Sequence, residues 1–410
     1  MTDFVRLLAK CKATTILTNS VVDDFLMYYS ARQEKLNKEM DQRVARFRKI
    51  TRDFPQNWIN LIKAQYICHR IFKENGLIKK YLTHTAVKAL PKEQLVFLQM
   101  QSAIPWRYSY SIITANPEQD FYEMEDVFNG ESFLLYSPSV TQILSQHPVA
   151  LWFNLIAYNG SCWQTFGPIL HFKGFEPDDI FFFASELHPG IETEEDLYAD
   201  IGENPFPYLM LFSASNFPFT MHGEDPILQV IAKHSMDAFD SKARKDLQLE
   251  YVPGVFRIKP SVWGKPPHFA AAYFDEQKKT ILLTAMTDRG FHGLVTRLNK
   301  YGLNLPNEPD IRVHFTAIVS IKNILQREPE LNPYEKLFEV ESKPAHTDMI
   351  ARLNRFISLA LPFINSGQEP DLVKLANKAA VDIDTARDLL QHSMGRIKTL
   401  QEKIGKKIKK

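Results

Sequence analysis

The chain has 410 residues, 45% of them hydrophobic and 24% charged, which excludes a disordered tail, a collagen-like repeat and a small disulfide scaffold. Against 49 Lys and Arg stand 48 Asp and Glu, so the formal charge of +1 points by itself to neither a nucleic-acid binder nor an acidic solubiliser. The length suits two or three domains.

The first hundred residues read as helical. Ser20 is placed to cap a helix with Asp23 and Asp24 in its first turn, the sign that a helix N-terminus favours. Phe25, Tyr29, Leu36, Met40, Val44 and Phe47 recur at helical spacing along it. Pro55 opens a second helix, Asn75-Gly76 supplies a left-handed stop, and Pro91 starts a further helix. At Pro105 the texture changes. Trp106-Arg-Tyr-Ser-Tyr-Ser-Ile alternates with period two, the mark of a half-buried strand. Asn129-Gly130 and Asn159-Gly160 each sit between two apolar runs, and an Asn-Gly pair there predicts a type I′ hairpin. Ile180–Ala184 and Tyr208–Ser213 read as strands, with an acidic helix from Thr193 to about Gly202 between them. Asp225-Pro226 reads as the opening of a helix through Ile231. Phe269–Phe274 and Thr280–Met286 form a hairpin pattern, a helix follows from Asp288, and Arg312–Ala317 reads as a strand. From about Pro344 the pattern is helical to a basic end.

The expected fold class is therefore α+β: a helical N-terminal region (1–104), a central antiparallel or mixed β-rich region with helices (105–343), and a helical C-terminal region with a basic tail (344–410). Charge is unevenly distributed along the chain. Residues 1–90 hold 17 basic and 8 acidic side chains, a balance of +9. Residues 91–250 hold 7 and 23, a balance of −16, and residues 251–410 hold 25 and 17, a balance of +8. Such asymmetry either steers a charged partner or is neutralised internally by packing of the regions on one another.

Three cysteines, Cys11, Cys68 and Cys162, stand far apart without CxxC or Cys/His spacing, which predicts free thiols and a cytoplasmic location. The N-terminal residues lack the apolar stretch of a secretory signal, and no apolar run approaches the roughly 20 residues of a membrane span. Nucleotide-binding glycine loops, a GxSxG elbow, HExxH and EF-hand patterns are all missing, so the sequence leans away from an enzyme and implies no cofactor. His171, His188 and His222 lie among carboxylates in the acidic middle, but without ligand spacing, and no metal site is expected from them.

Two segments offer specific chemistry. Asp288, Arg289, Gly290 and His292 follow a predicted strand and enter a helix, where backbone donors and a guanidinium can hold an anion. The plainer alternative makes Asp288 a helix cap and Arg289 a solvated side chain. In the C-terminal region, Leu375-Ala376 through Val381 and Thr385-Ala386 to Leu389 resembles a helix-turn-helix over about 25 residues, with Val381 in the turn and Thr385 starting the second helix. Ala380 stands where that family usually has Gly. The resemblance implies nucleic-acid contact through Arg387, Gln391, Arg396 and Lys398, beside Asp384 and Asp388, which repel phosphate. The leading expectation is a soluble, non-enzymatic interaction or regulatory protein with a protein partner. A DNA-associated regulator using the C-terminal segment is the alternative, and an enzyme for an anionic small molecule near Asp288–His292 is the third.

Overall fold

The computed structural model describes residues 3–52, 54–146, 149–172, 174–214, 221–222, 225–239, 246–261, 269–338, 352–360, 362–363 and 370–390. The fold is α+β, and the chain divides into two compact units, Met1–Ser215 with Asn323–Leu325 and Asn216–Lys322 with Gln326–Lys410.

The first unit begins with α1 (Phe4–Leu17), a π-helix (Thr18–Leu26), α2 (Met27–Gln33), α3 (Leu36–Arg46), α4 (Arg48–Thr51), α5 (Gln56–Phe72), α6 (Ile78–Tyr81), α7 (Thr85–Lys88) and α8 (Lys92–Ala103). The cap of the first helix is Asp3, whose Oδ1 accepts the Arg6 N–H at 3.1 Å. Ser20, the expected cap, lies inside the π-helix and donates its hydroxyl to the Leu17 carbonyl. The helix expected beyond it breaks at Lys35, which holds a left-handed φ of 56° between α2 and α3.

Of these helices α1 and α5 pack on a closed five-stranded barrel of β1 (Arg107–Glu118), β2 (Phe121–Asp126), β3 (Ser132–Tyr136), β4 (Leu151–Tyr158) and β5 (Trp163–Phe172), in the order β1-β2-β3-β5-β4. All neighbours are antiparallel except β3 and β5, and α9 (Pro138–Leu144) lies between β3 and β4. This is the connectivity of an OB-type Greek-key barrel. Period-two alternation sends Tyr122, Met124, Leu135, Trp152 and Ile156 into the barrel core, while Glu123 and Glu125 face outward. Both expected hairpins form, but neither turn is type I′: only Gly130 (φ 68°) and Gly160 (φ 84°) are left-handed. The asparagines do other work. Asn129 Oδ1 accepts the Glu131 N–H, and Asn159 Oδ1 accepts those of Ser161 and Cys162, the Asx arrangement that competes with a two-residue turn. Asp126, fully buried at the end of β2, accepts from Ser109 Oγ at 2.6 Å, from the N–H groups of Phe128 and Asn129, and from the Tyr198 hydroxyl.

The segments read as strands at Ile180–Ala184 and Tyr208–Ser213 are helical: α10 (Pro177–Leu187) and α12 (Phe206–Ala214) flank α11 (Glu194–Glu203). In α10 the start signals outweigh the β-propensity of Phe181-Phe182-Phe183. Glu176 and Asp179 form a capping box, and Pro177 fills the first turn. In α12 Tyr208, Leu209, Met210 and Leu211 are all buried, and a segment apolar on every side carries no period to separate helix from strand.

In the second unit β6 (Met221–His222) pairs with β7 (Asp225–Pro226). An antiparallel sheet runs β13-β8-β12-β11-β10-β9, built from β8 (Leu228–Ser235), β9 (Leu247–Val252), β10 (Val255–Pro260), β11 (Ala270–Asp275), β12 (Thr280–Ala285) and β13 (Ile311–His314). The helix expected from Asp225 is thus strand. Leu228, Val230 and Ala232 face one core and Ile231 the other, so period two overrides the Asp-Pro start. One face of the sheet is covered by α13 (Asp288–Asn299) through Phe291, Leu294, Val295 and Leu298. The strand read at Arg312–Ala317 stops at His314, where α14 (Phe315–Leu325) begins. Helix 352–360, the helix Leu372–Ala379 and helix 383–390 share a cluster of Phe356, Ala360, Leu375, Ala376, Ala379 and Ala386.

The face of the barrel beneath α5 holds a buried base. His69 packs its ring 4.9 Å from that of Tyr108, and burial, with Lys73 and Arg70 adding to it, lowers its pKa to about 3. The unfolded chain binds this proton near pH 6.5, so the stability present above that value is lost as the pH falls toward about 3. His69→Phe is expected to flatten that limb of the stability curve. The wild type loses on the order of 4 kcal/mol more than the variant between pH 6.5 and 3, read by urea unfolding at each pH.

Candidate functional site

A cavity of about 440 Å³ opens within the first unit. Its first wall is the end of α1 and the π-helix, which present Thr14, Thr15, Thr18, Asn19 and Asp23. The hydroxyls of this wall explain its geometry. Thr15 Oγ1 donates to the Cys11 carbonyl at 3.0 Å and Thr18 Oγ1 to the Thr14 carbonyl at 2.9 Å, and such back-bonding competes with the α-helical ladder. Past them the helix widens, and the Met27 N–H reaches the Val22 carbonyl five residues back. Val21, Val22 and Leu26 are fully buried and fix the widened turns. Segments of this kind collect at functional sites.

The second wall is the β4–β5 hairpin, with Gln164, Thr165, Phe166 and Gly167 toward the cavity. Gly167 holds φ 75°, and a Cβ there would lie 3.0 Å from that of Gln65. Gln65 Nε2 donates to the Phe166 and Pro168 carbonyls, so the hairpin seats directly on α5. Gln164 joins the two walls: its Nε2 donates to the Cys11 carbonyl at 3.2 Å and to Thr15 Oγ1 at 3.3 Å. Leu61 and Ala64 of α5 and the Trp106 ring supply apolar surface. Trp106 Nε1 donates to Gln101 Oε1 at 2.6 Å, and Gln101 Nε2 to the Tyr158 carbonyl, which holds both side chains in place.

Asp23 is the single charged residue of the lining among the described residues. By area it is exposed, yet the surrounding walls desolvate its carboxylate, and this burial, with Asp24 beside it, raises its pKa. Among the described residues the lining contains no Lys, Arg or His, and its hydroxyls are those of threonine. Hydroxyl and amide groups beside an aromatic face suit a ligand held by hydrogen bonds and stacking.

The residues singled out in the sequence lie elsewhere. Thr287, not Asp288, caps α13, its Oγ1 accepting the Gly290 N–H at 3.0 Å. Asp288 accepts from Arg312 Nε and a terminal nitrogen, both at 3.0 Å, and Arg289 donates to Asp225 Oδ1 at 3.0 Å. His292 is exposed and leans on the Phe291 ring. In the C-terminal helices Ala380 holds φ 56°, the conformation in which Gly is favoured, and Asp382 Oδ1 accepts the Thr385 N–H at the start of helix 383–390. Arg387 donates to Asp384 at 2.6 Å, while Gln391, Arg396 and Lys398 lie outside the described residues. His188 pairs with Asp200 at 2.8 Å, His171 packs by Trp152, and among the described residues no group of three or more His, Cys, Asp or Glu could hold a metal ion. No helix among them is long and apolar enough to cross a membrane.

Sequence reasoning missed the cavity because its lining comes from segments far apart in the chain. One local signal was available: Thr14, Thr15 and Thr18 crowd a segment that otherwise reads as helix. Comparison of the chain with protein-family profiles, curated proteins and solved structures finds no match.

An acid with a raised folded-state pKa costs stability only once it ionises. Asp23→Asn is therefore expected to equal the wild type below the ordinary carboxylate range and to exceed it in Tm at pH 7, read by differential scanning calorimetry across that interval.

Proposed function

We propose that this is a non-enzymatic regulatory or interaction protein whose first unit binds an uncharged or singly cationic small molecule bearing hydroxyl or amine groups. One observation carries the reading: a cavity of about 440 Å³ whose largely apolar lining carries hydroxyl and amide groups and, among the described residues, a single carboxylate and no basic side chain. The volume falls within the roughly 300–1,000 Å³ of small-molecule sites. A carboxylate without an opposing cation repels phosphates and carboxylates and attracts an ammonium group. Among the described residues the lining's one acid–base group is the Asp23 carboxyl, with no second acid or base opposite it.

The reading of the C-terminal segment as a DNA contact has less behind it. The exposed guanidinium of Arg387 already bonds Asp384, and Asp388 is exposed beside them.

The full chain is to be titrated by thermal shift with matched panels of polyols, monoamines and phosphate esters, and with duplex DNA across a salt series. Stabilisation by polyols or monoamines is expected, with at least a tenfold loss of apparent affinity in Ala64→Phe, which fills the cavity from α5. Stabilisation by phosphate esters alone, ligand binding untouched by Ala64→Phe, or a steep salt-dependent affinity for DNA would each contradict the reading.

A further inference from the structure

The fold brings two of the three cysteines together. Cys11 on α1 and Cys162 in the β4–β5 turn, 151 residues apart in the chain, place their sulfurs 3.4 Å from one another. Both are buried and both are free thiols. Asn159 Nδ2 lies 3.3 Å from Cys11 Sγ and 3.4 Å from Cys162 Sγ, so one amide donates to the pair. Lys10 stands at the rim, its Nζ donating to Ser161 Oγ at 2.8 Å. We propose that Cys11 and Cys162 form a peroxide-responsive thiol pair that closes reversibly into a disulfide joining α1 to the barrel hairpin.

The mutual hydrogen bond, with Cys162 as donor, makes Cys11 the attacking sulfur, since Asn159 and Lys10 act on both thiols. The Cys162 hydrogen bond, the Asn159 amide and the Lys10 charge together hold its thiol below the ordinary range against the effect of burial. The hydrogen bond to Cys11, along with burial, pushes Cys162 up, which leaves it as the protonated partner that resolves the intermediate. Cys68 is buried without such donors, and desolvation raises its thiol well above the usual value, so it is inert.

Burial of the pair excludes a bulky disulfide donor and selects hydrogen peroxide, a molecule little larger than water. Cys11 ionises and its sulfur attacks one peroxide oxygen. The O–O bond breaks, and the departing hydroxide takes up the released proton as water, leaving Cys11 as a sulfenic acid. Cys162 Sγ then attacks Cys11 Sγ, the S–O bond breaks, and the oxygen leaves as water with the Cys162 proton. Two thiols have given two electrons to one peroxide, yielding one disulfide and two waters. Bond formation draws the sulfurs from 3.4 Å to about 2.0 Å, a movement that the side-chain rotamers and the β4–β5 turn can absorb. The inference stands independently of the ligand-binding reading.

The test is a hydrogen peroxide titration of the folded full chain, quenched by alkylation and mapped by peptide mass. A Cys11–Cys162 linked peptide is expected, reversed by dithiothreitol, with Cys68 still reduced. In Cys162→Ser a dimedone adduct is expected on Cys11, and in Cys11→Ser none on Cys162. The idea fails if both thiols stay alkylatable at peroxide levels that oxidise Cys68, or if the linked peptide arises only in protein unfolded beforehand. Should either serine variant fold poorly, the wild-type peptide map decides alone.

Discussion

The first unit turns on the side chain of Asn159, a buried amide at the β4–β5 turn. Its oxygen accepts the Ser161 and Cys162 N–H groups at 2.9 Å and shapes the turn. Its nitrogen serves Gln164 Oε1 at 2.9 Å and the two sulfurs. Gln164, so oriented, spends its own amide on the Cys11 carbonyl and Thr15. A short polar chain thus runs from a hairpin turn to α1 and on to the wall of the cavity. Around it Leu7, Phe121 and Tyr136 form a small apolar cluster with the cysteines, which excludes water from these bonds and raises the cost of breaking any one of them. Gly160, left-handed and with Lys10 Nζ 3.1 Å from where a Cβ would stand, lets the turn come this close to the helix.

The split of charge along the chain resolves in part into architecture. Lys73, nearly buried at the end of α5, donates to Glu203 at 2.6 Å and to the Gly202 carbonyl at the C-terminus of α11, where a helix dipole favours a cation. Arg43 donates to Asn204 at 2.7 Å, and Arg107 pairs with Glu131. Many acidic residues of the middle serve helix starts: Asp178 and Asp179 in α10, and Glu194, Glu195 and Asp196 in α11. A net charge near +1 therefore hides regions of opposite sign whose side chains cap helices and pair across the first unit.

The sequence made legible whatever depends on short-range periodicity. Alternation marked β1 and β2, two apolar runs around a polar turn marked the β11–β12 hairpin, and the turn residues marked both barrel hairpins. Where two local rules conflicted, the reading followed the wrong one. Phenylalanines suggested a strand at 181–183 although Glu176, Pro177 and Asp179 announced a helix, and Asp225-Pro226 suggested a helix although the residues after it alternate. The candidate site was hidden for a different reason. Thr18, Gln164 and Trp106 meet through the packing of α1 and α5 on a closed barrel, and no spacing in the chain encodes that meeting. The pairing of Cys11 with Cys162 belongs to the same class, since widely separated cysteines read as unrelated until topology joins them.

Asn159 is the group that docks α1 on the hairpin and so forms the wall of the cavity. Hydrogen–deuterium exchange of the full chain, wild type against Asn159→Ala, tests this directly. The amides of Leu7–Leu17 and of the π-helix are predicted to exchange at least tenfold faster in the variant, with those of the β11–β12 hairpin unchanged. Unaltered protection across α1 and the π-helix would contradict the account.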